Sequence, residues 1–197
     1  MFAHPFFFSS LPPNQNMDGH KSADELLEAQ HEYWKKQDAS VDGMLGGLGF
    51  VHGTDVEGSM GFLDRVLPKE KCKRERAMDC GGGIGRVTKH LLIPAGFQEV
   101  DILDVSQEFL DKAQDYVGSA ALKNRYCSGL AQFDFAAAGR TWNCIWVQWC
   151  AIYLTDAAFV QFFKHAAAAL ADEHSVVVLK ENVLRGDSDP EPDHQDK

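Results

Sequence analysis

Asp79-Cys80-Gly81-Gly82-Gly83-Ile84-Gly85-Arg86, followed by an apolar stretch that ends at the acid Asp104, decides how this chain folds. Ahead of it, Arg76-Ala77-Met78 suits a short buried strand; behind it, Val87 to Ile93 suits a helix, so the glycines fall where a strand becomes a helix. Glycine lacks a Cβ and tolerates positive φ. Placed alternately, Gly81, Gly83 and Gly85 permit a tight turn whose amides face a ligand. Glu99 to Asp104 reads as a second strand, and its last carboxylate lies about 20 residues beyond the turn, the separation at which an acid accepts hydrogen bonds from a ribose. Strand, turn, helix and acid in this order predict a nucleoside cofactor.

Outward from this turn the alternation continues. Ser106 is placed to cap a helix carrying Phe109, Leu110, Ala113 and Tyr116, with Gly118 closing it. Arg125 to Cys127 reads as a short third strand. The apolar run Trp142 to Trp149 suits a central parallel strand covered on both faces. Thr155 or Asp156 starts a helix through Leu170, and Ser175 to Lys180 is a fifth strand. Alternation of this kind predicts an α/β fold, a doubly wound parallel sheet with ligands at the carboxyl ends of its strands. On the N-terminal side, Ser22 and Glu25 form a capping box for a helix over Ala23 to Lys36. Val41 to Phe50 is rich in glycine but follows no strand, so it reads as a covering loop. A further helix spans Gly58 to Leu67, and Pro68 to Arg74 is a charged, exposed connection. The expected organisation is an N-terminal arm over 1–21, a helical, substrate-covering extension over 22–74, the cofactor-binding domain over 75–183 and an acidic flexible tail over 184–197.

Composition narrows the function classes. With 197 residues and 45% apolar content, the chain suits one domain with one good core. No apolar run approaches the roughly 20 residues that cross a bilayer, so no membrane span is expected. The phenylalanine-rich start has no basic leader and is broken by Pro5, which argues against a signal peptide. Five cysteines without a Cys-x-x-Cys pair suit free thiols in a reducing compartment, cytoplasm or nucleus. A net charge of −10 disfavours nucleic acid and makes a basic partner more natural. The eight histidines lack metal-ligand spacing, and no metal is predicted. A monomer is expected.

The spacing of the glycines bears on the cofactor. A dinucleotide fold carries Gly-x-Gly-x-x-Gly, and an oxidoreductase is the lesser reading here. Gly81-x-Gly83-x-Gly85 behind Asp79 resembles the acid-x-Gly-x-Gly-x-Gly motif of class I S-adenosylmethionine-dependent methyltransferases. Arg86 taken alone is equally a solvated helix arginine. Its place after the last glycine suits a guanidinium gripping a carboxylate through paired hydrogen bonds.

A closer resemblance rests on Tyr33-Trp34-Lys35, Val41 to Gly47, Asp79 to Arg86, Gln148-Trp149, Leu154-Thr155-Asp156 and Lys180-Glu181-Asn182, in that order. Over residues 30 to 184 the chain resembles the alpha-N-terminal protein methyltransferases, which methylate the free α-amine of proteins beginning, after methionine removal, with X-Pro-Lys or X-Pro-Arg. The resemblance implies S-adenosylmethionine as cofactor and a Rossmann-like sheet. By it, Gly81, Gly83 and Arg86 would hold the methionine end, Asp104 and Val105 the ribose, Leu130 the adenine region and Gln148 the aminocarboxylate side. Trp34, Leu45, Gly46, Val51 and Trp149 would enclose the substrate N-terminus, and Asn182 would hydrogen-bond its first peptide unit. Without the pattern, Trp34 and Trp149 would read as core residues.

Two positions depart from that pattern. Tyr153 stands where many members have histidine, and a phenol with an ordinary pKa of about 10 is no base at neutral pH without help. The family's carboxylate base falls beyond the Asn182 position, where Asp187 and Asp189 are the nearest candidates at a different spacing. The catalytic candidates are therefore Tyr153, Asn182, Asp187 and Asp189. The class I fold usually ends in an antiparallel strand pair for which no sequence is found here. That makes a catalytically silent relative, binding cofactor or a partner protein, one alternative; a small-molecule methyltransferase sharing only the cofactor half is another.

Overall fold

The computed structural model describes residues 32–34 and 36–182. Five parallel strands form one sheet in the order β3-β2-β1-β4-β5. They are β1 (Arg76–Cys80), β2 (Glu99–Asp104), β3 (Leu122–Cys127), β4 (Cys144–Gln148) and β5 (Val176–Lys180). The chain winds outward from β1 to β3, returns to β1's other side as β4, and ends the sheet with β5. The order therefore reverses between β1 and β4, and crevices at such reversals, outside the carboxyl ends of the strands, are where α/β sheets bind ligands. This is the doubly wound α/β arrangement that the alternation of strands and helices predicts.

Both sheet faces are covered, which explains the unbroken apolar run of β4. Ile145 and Val147 pack with Met78, Trp142 and Phe162 on one face; Cys144 and Trp146 pack with Leu63, Leu67, Leu91 and Val178 on the other. The helices supplying these partners are α2 (His52–Val66) and α4 (Asp156–Ala168), together with a π-helical segment Thr88–Leu92 behind β1. α3 (Gln107–Val117) covers Ile102. Its caps are those expected: Ser106 Oγ accepts from Phe109 N at 3.3 Å, and Gly118 closes it at φ 59°. Thr155 Oγ1 likewise caps α4, accepting from Ala158 N at 3.3 Å.

Several boundaries differ from the sequence reading, each for a physical reason. Val41 to Phe50 is not an irregular loop: α1 (Val41–Met44) and a 3₁₀ turn Gly49–Val51 run straight into α2. Ser40 Oγ caps α1, and Asp42 Oδ1 accepts from Gly49 N at 2.8 Å, so local hydrogen bonds override the weak helix propensity of glycine. α2 begins at His52 rather than Gly58, because its first turn is anchored to the sheet by side chains described below. The Pro68 to Arg74 connection is not uniformly exposed. Arg74 is 7% exposed, and its guanidinium donates to the carbonyls of Leu67 and Ala95 and to Asp64, satisfying chain ends that would otherwise lack donors. β1 continues through Cys80, β3 starts at Leu122, and β4 is shorter than Trp142 to Trp149, with Trp149 leaving it at φ 56°. Of the helix expected over Ala23 to Lys36, residues 32–34 are helical; the remainder, the arm over 1–21 and the tail from 184 lie outside the described residues. Among the described residues no strand follows β5. No helix of the described residues is long and apolar enough to cross a membrane.

Candidate functional site

β1 delivers the glycine turn to the carboxyl edge of the sheet. Gly81 N and Gly82 N both donate to Leu103 O, at 2.7 and 3.1 Å, which folds the chain over the end of β2. Gly83 adopts φ 54° and donates its N–H to Asp104 Oδ2 at 2.8 Å. A Cβ there would lie 2.5 Å from Met44 Sδ, so the close approach of α1 requires glycine. Asp104 is braced again by Ser106 N, which donates to Oδ1 at 2.8 Å.

Asp79, the acid before the glycines, serves a different end. It is buried, and its Oδ2 accepts from Thr88 N at 2.9 Å and Thr88 Oγ1 at 2.7 Å, fastening the turn to the following helix. Burial raises its pKa to about 6, against the opposing pull of the Thr88 hydrogen bonds.

Arg86 is buried and turned toward the N-terminal extension. Its Nη1 donates to Asp55 Oδ2 at 2.7 Å and lies 3.3 Å from His52 Nδ1, while the guanidinium stands 5.5 Å from the Trp149 ring centroid. Gln148 has its amide nitrogen on both Asp55 oxygens, at 2.9 and 3.1 Å, and its carbonyl accepts from Trp146 Nε1 at 2.9 Å.

These groups surround an open cleft of about 680 Å³, a volume that includes space open to solvent. Gly81, Gly83, Arg86, Asp104 and Gln148 line it, and so do Trp34, Gly46 and Trp149. A neighbouring cavity of about 370 Å³ is lined by Val105 and Leu130, and shares Trp34, Gly81 and Asp104 with the first. Trp34 packs edge-on against Phe109, with centroids 6.4 Å apart. Leu45 and Val51 are not among the lining residues: they are 0% and 4% exposed, within the extension itself. Tyr153 has a buried hydroxyl that faces the Trp34 side chain, and burial, outweighing that contact, pushes its phenol well up, away from any role as a neutral-pH base. Asn182 is exposed, and its backbone N–H donates to Glu181 Oε1 at 3.1 Å. Asp187 and Asp189 lie outside the described residues.

Sequence reasoning missed Asp55, Met44 and Phe109. Met44 and Phe109 line the cleft; Asp55 meets Gln148 and Lys180 across 93 and 125 positions, a contact that no local pattern announces.

Comparison with known proteins identifies the family. The sequence profile of the AdoMet dependent proline di-methyltransferases matches residues 22–197. The chain belongs to this family. Among its relatives, the N-terminal Xaa-Pro-Lys N-methyltransferase 1 of Danio rerio is 44% identical over 160 residues, spanning 79% of this chain and 70% of that protein. The Homo sapiens protein of the same name is 38% identical over 157 residues, covering 78% and 69% respectively. A solved Leishmania major SAM-dependent methyltransferase superposes with a TM-score of 0.74 at 32% identity, covering 85% of this chain and 68% of that one. Haemonchus contortus phosphoethanolamine N-methyltransferase 1, at 19% identity, TM-score 0.58 and coverages of 83% and 34%, shares the fold. α1 and α2 precede the sheet in the chain, and Met44 and Gly46 bring the α1 segment to the cleft.

Proposed function

We propose that this chain transfers methyl groups from S-adenosylmethionine to the free α-amine of proteins that begin, after methionine removal, with X-Pro-Lys or X-Pro-Arg. It would act as a monomer in a reducing compartment, cytoplasm or nucleus, which suits its five free thiols. The observation that carries the reading is the shared cleft. Residues matching the family's cofactor set and residues matching its substrate set border the same space, which is what direct transfer between two bound molecules demands.

The residues fit the cofactor. The glycine turn leaves its cleft side free of Cβ atoms, Asp104 stands at the end of β2, and the guanidinium of Arg86 lines the cleft as a charged donor for an anionic group. When bound, S-adenosylmethionine supplies a sulfonium methyl open to displacement by an amine lone pair. Gly81, Gly83, Arg86 and Gln148 would hold its methionine end, Asp104 and Val105 its ribose, and Leu130 its base. Trp34, Gly46 and Trp149 would wall the substrate N-terminus, with Leu45 and Val51 supporting that wall from beneath and residues 22–74 as a whole serving as the covering extension. Apolar walls suit a proline ring. Asn182 would bond the first peptide unit, and the Tyr153 hydroxyl would orient the amine as a donor or acceptor. A protein α-amine has an ordinary pKa of about 8, so little proton transfer is needed, and positioning supplies most of the acceleration. Asp187 and Asp189 are the carboxylates nearest in sequence for that proton.

A second reading is favoured by Tyr153: a relative that binds cofactor without turnover, since a phenol with a raised pKa replaces an imidazole. Mass spectrometry separates the two. Incubated with cofactor and an X-Pro-Lys-Arg peptide, the active enzyme adds methyl mass to the peptide; the silent relative adds none, although calorimetry detects cofactor binding.

A further inference from the structure

The first turn of α2 meets the ends of β4 and β5 at one buried carboxylate. Asp55 sits in the first turn of α2, its side chain 5% exposed, and receives donors from three separate elements. Arg86 Nη1 approaches at 2.7 Å from behind the glycine turn, Gln148 Nε2 at 2.9 and 3.1 Å from the end of β4, and Lys180 Nζ from the end of β5. Lys180 is secured again by Ser59 Oγ, 2.8 Å away and one turn further along α2. Arg86 and Lys180 each lie 5.5 Å from the Trp149 ring centroid. Trp149 has φ 56°, a backbone state that a non-glycine residue keeps only where its surroundings fix it.

Burial alone would raise the Asp55 pKa; Arg86 and Lys180 outweigh it and hold the carboxyl below the usual range. Arg86 and Lys180 thus meet at one carboxylate beside a cleft lined by Arg86, Gln148 and Trp149, with Asp79 and Asp104 also on its lining. The far end of α2 has its own fastening, with Asp64 on Arg74 at 2.8 Å and Leu63 in the core. Asp55 is therefore not needed merely to hold the helix down.

We propose that Asp55 is a positioning residue for methyl transfer. It orients Arg86 and Gln148 toward the carboxylate end of the cofactor and, through Arg86 and Lys180, fixes the Trp149 indole on the substrate side. One side chain of the extension thus sets the two halves of the cleft together. This rests on the function proposed above and extends it to a residue that need touch neither ligand.

Asp55→Asn tests it, because the change keeps the shape, removes the charge and presents an amide N–H to three donors. Asp64→Asn, which breaks the fastening at the other end of the same helix, is the control. Calorimetry with S-adenosylhomocysteine, kcat and KM for an X-Pro-Lys-Arg peptide and the thermal midpoint are measured for each. Asp55→Asn should weaken S-adenosylhomocysteine binding about tenfold or more and lower kcat, as expected when one member of a buried charged network is lost. Asp64→Asn should lower the thermal midpoint yet leave binding and kcat within about twofold. Adding Lys180→Met to Asp55→Asn removes one stranded cation and should recover part of the lost affinity. The proposal is overturned if folded Asp55→Asn binds S-adenosylhomocysteine and turns over like the wild type, or if Asp64→Asn reproduces its losses. Should the wild type bind S-adenosylhomocysteine but methylate no peptide, the functional reading fails, and calorimetry alone decides the role of Asp55.

Discussion

Two glycine-rich segments border the same cleft, and they are held in opposite ways. Residues 81–85 leave a central strand, and neighbours distant in sequence dictate their shape: Leu103 O takes two amides, Asp104 takes a third, and Met44 closes over Gly83. Residues 43–49 follow no strand and are held from within. Asp42 accepts from Gly49 through its side chain and from Gly47 through its carbonyl, and Ser40 caps the turn. A Cβ on Gly47, despite φ 85°, would meet nothing within 4 Å. Glycine thus serves close approach in both segments, to Met44 from another part of the chain at Gly83 and to the nearby Asp38 and Asp42 at Gly43 and Gly49, while Gly47 serves only a local change of chain direction. Only the first segment builds a cradle whose amides the sheet itself fixes.

The strongest way to break this contrast is Gly83→Ala. A left-handed backbone forced on alanine costs about 1–3 kcal/mol, and Met44 must also move. We expect S-adenosylhomocysteine affinity to fall by about tenfold or more by calorimetry, with part of the loss recovered by adding Met44→Ala. Gly47→Ala should cost stability alone, about 1–2 kcal/mol by denaturant unfolding, and leave cofactor affinity within about twofold. An equal loss of affinity in the two variants would erase the distinction.

Asp79 sharpens the contrast through pH. Its folded pKa, raised by burial to about 6, lies above its value in the unfolded chain, so the folded protein takes up the proton first as pH falls and gains stability on that account. Relative to Asp79→Asn, the wild type should gain about 1 kcal/mol between pH 7 and pH 5 in urea unfolding, an increment approaching its full size below about pH 4.

The sheet was legible in the sequence because its signals are local. A run such as Trp142 to Trp149 announces a buried strand, and Ser106 with Gly118 brackets a helix before any contact is known. The glycine turn and Asp104 were legible for the same reason: their separation is set by one strand-helix-strand unit. The extension was not. Its helices α1 and α2 carry four of the chain's glycines, which argue locally for a loop, and what holds them is Asp55 meeting Arg86, Gln148 and Lys180. Leu45 and Val51 show the remaining difficulty. An apolar residue beside a cleft and one beneath it look alike in sequence, and burial alone separates them.

The most direct test of a single cleft serving both molecules is a crystal structure of the full chain with S-adenosylhomocysteine and an X-Pro-Lys-Arg peptide. The account predicts the nucleoside beside Asp104 and Leu130, its carboxylate end at Arg86, and the peptide N-terminus between Trp34 and Trp149. A nucleoside bound elsewhere, or a peptide whose amine lies outside that cleft, would contradict it.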